Sequence, residues 1–184
     1  MSDCEPKSTP IALGDYVNAS MGPKDSWDVE KMRRVPYKSA IGSIMYAMLC
    51  TRPDIAFATG LVSRYQSNPG PKHWKAVKRI LRYLKGTSSY ALCYQGMDLQ
   101  LRGYTDANHG QDKDGWKSTS GYVFTLGSGV VSWNSKKQTC VALSIMESEY
   151  VASCSAVQEA VWLKRFLIHL NLVPTEKATN HYFF

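Results

Sequence analysis

The apolar positions of this 184-residue chain change rhythm near its middle. Before Gly86 they recur every three or four residues, the spacing that gathers side chains on one side of an α-helix. Three helices are predicted there. The first is Tyr37–Cys50, apolar and rich in small residues, and Thr51-Arg52-Pro53-Asp54 punctuates it. The proline suits the first turn of a second helix over 53–66. Ser67-Asn68-Pro69-Gly70-Pro71 then breaks the pattern. A third helix over 72–85 ends at Gly86, a residue suited to a C-cap. Residues 1–35 are polar and carry Pro6, Pro10, Gly14, Gly22 and Pro23, so an extended, partly mobile lead-in is expected.

After Gly86 the texture is that of strands, short runs rich in Tyr, Val, Leu and Phe over 89–94, 99–106, 121–126 and 130–134. Gly127-Ser128-Gly129 reads as a hairpin turn between the last two. Ser144 opens a long helix to about residue 170, with Glu147 three positions on as a capping partner and Asn171 and Pro174 as stops. The expected architecture is α+β, or a partial α/β arrangement, in which a helical segment precedes antiparallel strands and one long helix. The expected divisions are a lead-in over 1–35, a helical part over 36–88, a strand-and-helix part over 89–174 and a tail over 175–184. A sheet with so few partners keeps an uncovered edge and reads as cut off.

Composition narrows the classes. With 44% hydrophobic and 20% charged residues the chain is globular, neither disordered nor repetitive. Its net charge of +7 and pI near 9.1 favour an anionic partner, nucleic acid before an acidic membrane surface. Five scattered cysteines without C-x-x-C spacing argue for reduced, mostly structural thiols, against disulfides or a zinc site. Residues 1–14 lack the apolar run of a signal peptide, so an intracellular location is expected. No stretch is apolar enough to span a membrane.

On the third helix Lys72, Lys75, Lys78, Arg79, Arg82 and Lys85 form a basic stripe beside an apolar side of Trp74, Val77, Leu81 and Leu84. Such a row suits a phosphate backbone; a solvated basic face explains the same pattern. Two carboxylates are more specific. Asp106 ends a strand where a ligand could reach it. On the long helix Ile145, Ala152, Ala156, Ala160, Leu163, Leu167 and Leu170 fall within about 40° of one line, Glu149 lies within about 20° of it, and Glu147 points about 180° away. An inward carboxylate needs a compensating partner, either Lys or Arg or a metal ion.

The remaining polar candidates read blandly. Asp112 and Asp114 look like solvated turn residues, and His109 like an exposed loop histidine. His73, His169 and His181 share no ligand spacing with it. Trp116, Trp133 and Trp162 are expected in or at the edge of the core. No nucleophile constellation and no phosphate-binding loop is present.

Three stretches of the helical part resemble the region after the polymerase core of copia-type retrotransposon Pol polyproteins, namely the end of the reverse transcriptase (thumb or connection). They are Tyr37-Lys38-Ser39-Ala40-Ile41-Gly42-Ser43-Ile44-Met45-Tyr46, Cys50-Thr51-Arg52-Pro53-Asp54-Ile55-Ala56 and Ile80-Leu81-Arg82-Tyr83-Leu84-Lys85-Gly86-Thr87. Gly103-Tyr104-Thr105-Asp106-Ala107, Lys117-Ser118-Thr119-Ser120-Gly121-Tyr122-Val123-Phe124 and Glu147-Ser148-Glu149-Tyr150 are similar to the start of the RNase H domain of the same polyproteins. The resemblance spans about residues 1–172. It implies a truncated RNase H-like fold, an RNA–DNA hybrid as substrate, the rest of a Pol polyprotein as partner, and Mg²⁺ held by clustered carboxylates, with Asp106 and Glu149 as the first two.

The departures from the family pattern matter for activity. The next acidic ligand, usually an Asp-Asn pair on a strand after the long helix, has no counterpart between Pro174 and Phe184. Asn108 and His109 stand where the family commonly has an acidic residue and a tryptophan. The expectation is a non-catalytic remnant without functional Mg²⁺, retaining weak nucleic-acid binding, or an enzyme fragment active only when another chain completes it. A second resemblance belongs to a different class. Arg79-Ile80-Leu81-Arg82 matches the RxLR tetrapeptide of secreted oomycete effectors, which implies secretion, delivery into plant cells and host proteins as partners.

Overall fold

The described residues of the computed structural model are 4–12, 14, 17–95 and 99–172, with the backbone of 181–183. The chain divides into two units, Met1–Ala91 and Leu92–Phe184.

In the first unit the predicted helices form, with changes at their ends. Helix α1 (Ser26–Arg33) lies within the lead-in that was expected to be extended, and Asp25 caps it by accepting from the Asp28 N–H at 2.7 Å. That helix was hidden because its apolar face is narrow; only Met32 is buried. Helix α2 (Tyr37–Cys50) buries Tyr37, Ile41 and Ile44, one turn apart each. The second predicted helix is shorter, a 3-10 turn over Pro53–Ile55 running into α3 (Ala56–Ser63). Helix α4 (Pro71–Gly86) follows.

The buried line of α4 is His73, Val77, Ile80 and Tyr83. It sits one step round from the predicted apolar side, and Trp74, Leu81 and Leu84 are only partly covered. The reason is a polar residue with a packing role. His73 is fully buried, accepts at Nδ1 from the Gly70 N–H at 2.8 Å, and so donates from Nε2 to Asn18 O at 3.0 Å. Gly70 must be glycine here: a Cβ would lie 2.0 Å from Met21 O.

The second unit is a sheet in the order β3-β2-β1-β4 with one helix. Strands β1 (Leu101–Asn108), β2 (Thr119–Leu126) and β3 (Gly129–Lys137) form an antiparallel meander. Gly127, with φ of 61°, occupies the first central position of the two-residue β2–β3 turn, where a type II′ hairpin requires it. The strand predicted over 89–94 does not form. Tyr94 instead lays its ring on Gly129 and donates to Val130 O at 2.9 Å, so this stretch spends its hydrogen bonds on the hairpin turn rather than on a ladder.

Helix α5 (Ile145–His169) is capped by Ser144, which accepts from Glu147 N–H. It ends in a Schellman motif: Asn171 adopts φ of 56°, its N–H donates to Ile168 O, and Leu172 N–H donates to Leu167 O. The predicted stop at Pro174 and the tail up to residue 180 lie outside the described residues. The tail does supply a further strand, β4 (His181–Phe183), parallel to β1 with Gly103 opposite Tyr182. This pairing covers three residues of β1 on the side away from β2, and the outer strands of the sheet are β3 and β4.

Candidate nucleic-acid interface and carboxylate pair

Helix α4 supplies the cations, and its stripe is split. Lys72, Lys75 and Lys78 are exposed. Arg79, Arg82 and Lys85 are engaged by the lead-in. Arg79 donates to Thr9 O at 3.1 Å and Thr9 Oγ1 at 2.8 Å, Arg82 to Glu5 O at 2.6 Å and Glu5 Oε2 at 3.2 Å, and Lys85 to Cys4 O at 2.7 Å. The lead-in is thus a strap laid along the helix, with Pro6 against Gly86. These are exposed contacts, individually weak and sensitive to salt.

The Arg-Ile-Leu-Arg tetrapeptide is built into this helix. Ile80 is fully buried in the core, Leu81 packs against that core, and both arginines hold the strap.

A second feature of this unit was not read from the sequence. Arg52 grips Asp54 with both Nε and Nη2 at 3.0 and 2.8 Å, and its Nη1 reaches Thr87 O at 3.2 Å. Tyr83 donates to the same carboxylate at 2.6 Å. Burial raises the Asp54 pKa, but the bonds from Arg52 and Tyr83 outweigh it and leave the carboxyl below its ordinary value. The stretches Thr51–Asp54 and Tyr83–Thr87 are therefore one clasp. Sequence separation concealed it, since the partners lie about thirty positions apart.

In the sheet unit, Gly103 lies beneath the Phe124 ring, and Phe124 packs on Ala156, Ala160 and Leu163 of α5. Gly103, Thr105 and Ala107 therefore face the helix. Asp106, of the opposite parity, shares the open face with Arg102 and Tyr104 and is exposed. Glu149 is half-buried at the edge of the helix stripe. The buried line is Ser148, Ala152, Ala156, Ala160, Leu163 and Leu167; Ile145 and Leu170, placed on it by periodicity, are 65% and 47% exposed at the helix ends. Glu147 is exposed as expected and accepts from Leu143 N–H at 2.6 Å.

Both carboxylates sit at the same end of the sheet. There Gln138 Nε2 donates to Ser120 Oγ and Ser148 O, both at 2.9 Å, joining β2 to the start of α5. Among the described residues no hydrogen bond or ion pair holds Asp106 or Glu149, so the Lys or Arg partner that an inward glutamate commonly takes is not what compensates Glu149. Two buried polar atoms at this end, His109 Nδ1 and Gln138 Oε1, also lack partners among the described residues.

Two carboxylates on opposite sides of a sheet do not fit a two-metal centre. Such a centre needs several acidic oxygens converging on one point. Among the described residues no three of His, Cys, Asp and Glu gather as a metal-holding group.

Other expectations change. Asp112 is buried and ion-paired with Lys137, not solvated. His109 is half-buried, not exposed. Trp116 and Trp162 are 66% and 56% exposed, not core. Four of the five cysteines are exposed and Cys4 is partly covered, so they are not core residues. Glu159 of α5, which no motif or spacing in the sequence marks, accepts from Ser132 at 2.7 Å. Burial raises the nearby Tyr122 phenol, and the Glu159 charge adds to that. Among the described residues no helix is long and apolar enough to cross a membrane.

The fold is α+β, and its antiparallel meander followed by a long helix is consistent with the leading part of an RNase H-like fold. The sequence is 52% identical over 96% of the chain to a retrovirus-related Pol polyprotein from transposon TNT 1-94 of Nicotiana tabacum. It is 35% identical over 94% of the chain to the Pol polyprotein of transposon RE2 of Arabidopsis thaliana. It is also 53% identical over 72% of the chain to Secreted RxLR effector protein 161 of Plasmopara viticola. The chain spans 13% of the tobacco polyprotein, 11% of the Arabidopsis one and 94% of the Plasmopara protein. No protein-family profile and no solved structure matches it. The chain belongs to the copia-type retrotransposon Pol family.

Proposed function

We propose that this chain is a retrotransposon-derived, RNase H-like protein that contacts nucleic acid without cutting it. The observation that carries the reading is the carboxylate pair: Asp106 and Glu149 belong to opposite sides of the sheet, with no third acidic or histidine ligand gathered beside them among the described residues. The exposed Lys72, Lys75 and Lys78 of α4 supply contacts to phosphates, and Mg²⁺ has no functional role in this chain. A labelled RNA–DNA hybrid incubated with the protein and Mg²⁺ or Mn²⁺ tests it. The expected result is retardation of the hybrid without cleavage. Cleavage that disappears in Asp106→Asn would overturn it, whether the protein acts alone or is completed by another Pol segment.

A second reading is favoured by the match to the Plasmopara protein over nearly its whole length. In it the chain is a secreted effector, co-opted from a retroelement, that suppresses plant defence. The placement of Arg79-Ile80-Leu81-Arg82 inside α4 counts against that tetrapeptide being read as an exposed linear signal. Expression in leaves challenged with a cell-death elicitor decides between the two: suppression supports the effector, and its absence together with absence of secretion removes it.

A further inference from the structure

One side chain at the Asp106 end of the sheet is displayed outward on a strained backbone. Trp116, in the loop from β1 to β2, is 66% exposed and holds φ of 54°, a left-handed conformation that a bulky residue rarely adopts. The loop is pinned around it. Trp116 N–H donates to Asp112 O at 2.8 Å, Asp112 is buried against Lys137, Lys117 donates to Thr139 O at 2.6 Å, and Gly110 N–H donates to Ser118 Oγ at 3.1 Å. A fixed loop that holds an indole outward in a strained conformation is a feature associated with ligand contact.

The sheet register says which face the loop serves. Asp106 stands in one row with Gly121 and Ser135, and the next row on that face is Asn108, Thr119 and Lys137. The Asp112–Lys137 pair therefore ties the loop to the open face, one row beyond Asp106. Glycine at 121 leaves the Asp106 row low. With Asp112 and Lys137 cancelling, the loop carries Lys113 and Lys117 against Asp114, one net positive charge. The Lys113 ammonium lies 5.4 Å over the Trp116 ring. A flat aromatic surface bordered by cations matches an unpaired nucleobase and its phosphates.

We infer that Trp116, with Lys113, is a stacking platform for an unpaired base of a nucleic-acid strand that runs over the open sheet face past Asp106. This rests on the nucleic-acid reading above and names the contact that the sheet unit makes. Trp27 is the internal comparison. It is equally exposed at 66% and has Lys31 at 4.6 Å, but it lies on the regular helix α1, without a positive φ.

The test uses the full chain and a fluorescein-labelled single-stranded oligothymidylate, read by anisotropy at low salt. Trp116→Gly removes the ring while suiting the left-handed backbone, so the fold is kept and the melting temperature does not fall. The expected result is affinity weakened roughly five- to a hundred-fold, the range for loss of one stacked base. Trp116→Phe retains most of the binding, and Trp27→Ala leaves it unchanged. Equal binding by Trp116→Gly, or an equal loss with Trp27→Ala, overturns the platform. If Trp116→Gly binds normally while Lys72, Lys75 and Lys78 changed to Glu abolish binding, the nucleic-acid reading stands and only the platform falls. If the unaltered chain does not bind the oligonucleotide, both fall.

Discussion

The two units bury their apolar surface very differently. Among the described residues, the helical unit closes ten buried residues from α1 to α4 around one core, whereas the sheet unit closes four, Phe124, Ala156, Ala160 and Leu163. The outer side of α5 is left exposed along Met146, Tyr150, Val157 and Val161, which recur at helical spacing as a second apolar stripe. Phe124 is the one large side chain that is fully buried among the described residues of the sheet unit, so this core depends on its ring. A core of interlocked helices spreads the same burden over many side chains, so single changes cost it a smaller share.

That contrast is open to test. Phe124→Ala is expected to cost about 3–5 kcal/mol and to melt the sheet unit while the helical unit persists. Urea unfolding followed by circular dichroism and by amide exchange would show two separated transitions, and a single joint transition would break the comparison. In the helical unit Arg52→Ala is the damaging polar change, at roughly 2–3 kcal/mol, because it leaves the buried Thr87 carbonyl without its side-chain donor and Asp54 with Tyr83 alone.

Acid should weaken the same clasp. The folded Asp54 carboxyl sits below its ordinary value of 3.8, so its contribution is present above that pH and disappears as pH falls through the folded value. The stability gap between the unaltered protein and Arg52→Ala should therefore shrink below about pH 4, read by denaturant titration at stepped pH. A gap that stays constant down to about pH 2 would show that the clasp is held by something other than the Asp54 charge. A smaller loss, about 1 kcal/mol, is expected for Ser144→Ala at the cap of α5. Asp106→Asn should change stability by less than about 0.5 kcal/mol, since the carboxylate is exposed and none of the described residues bonds to it.

Local signals in the chain carried much of this structure. The bounds of α2, the cap at Ser144, the stop at Asn171 and the hairpin at Gly127 were legible because each depends on residues within a few positions. Helix α1 was not, its single buried residue giving no periodicity. The strand expected over 89–94 failed for a different reason. Its tyrosines carry strand propensity, but Tyr94 found a better surface on Gly129, and tertiary contact overrode local preference.

The sequence by itself determined the family, the two textures of the chain and the identity of the residues with chemical potential, because motifs and periodicities are properties of short stretches. Only the tertiary structure decided which of those residues share a face. Pleat parity separated Asp106 from the side that α5 covers, the strap claimed half of the basic stripe, and Lys137 claimed Asp112, which the sequence reads as a solvated turn residue. Each depends on contacts between positions far apart in the chain, and no local pattern encodes those.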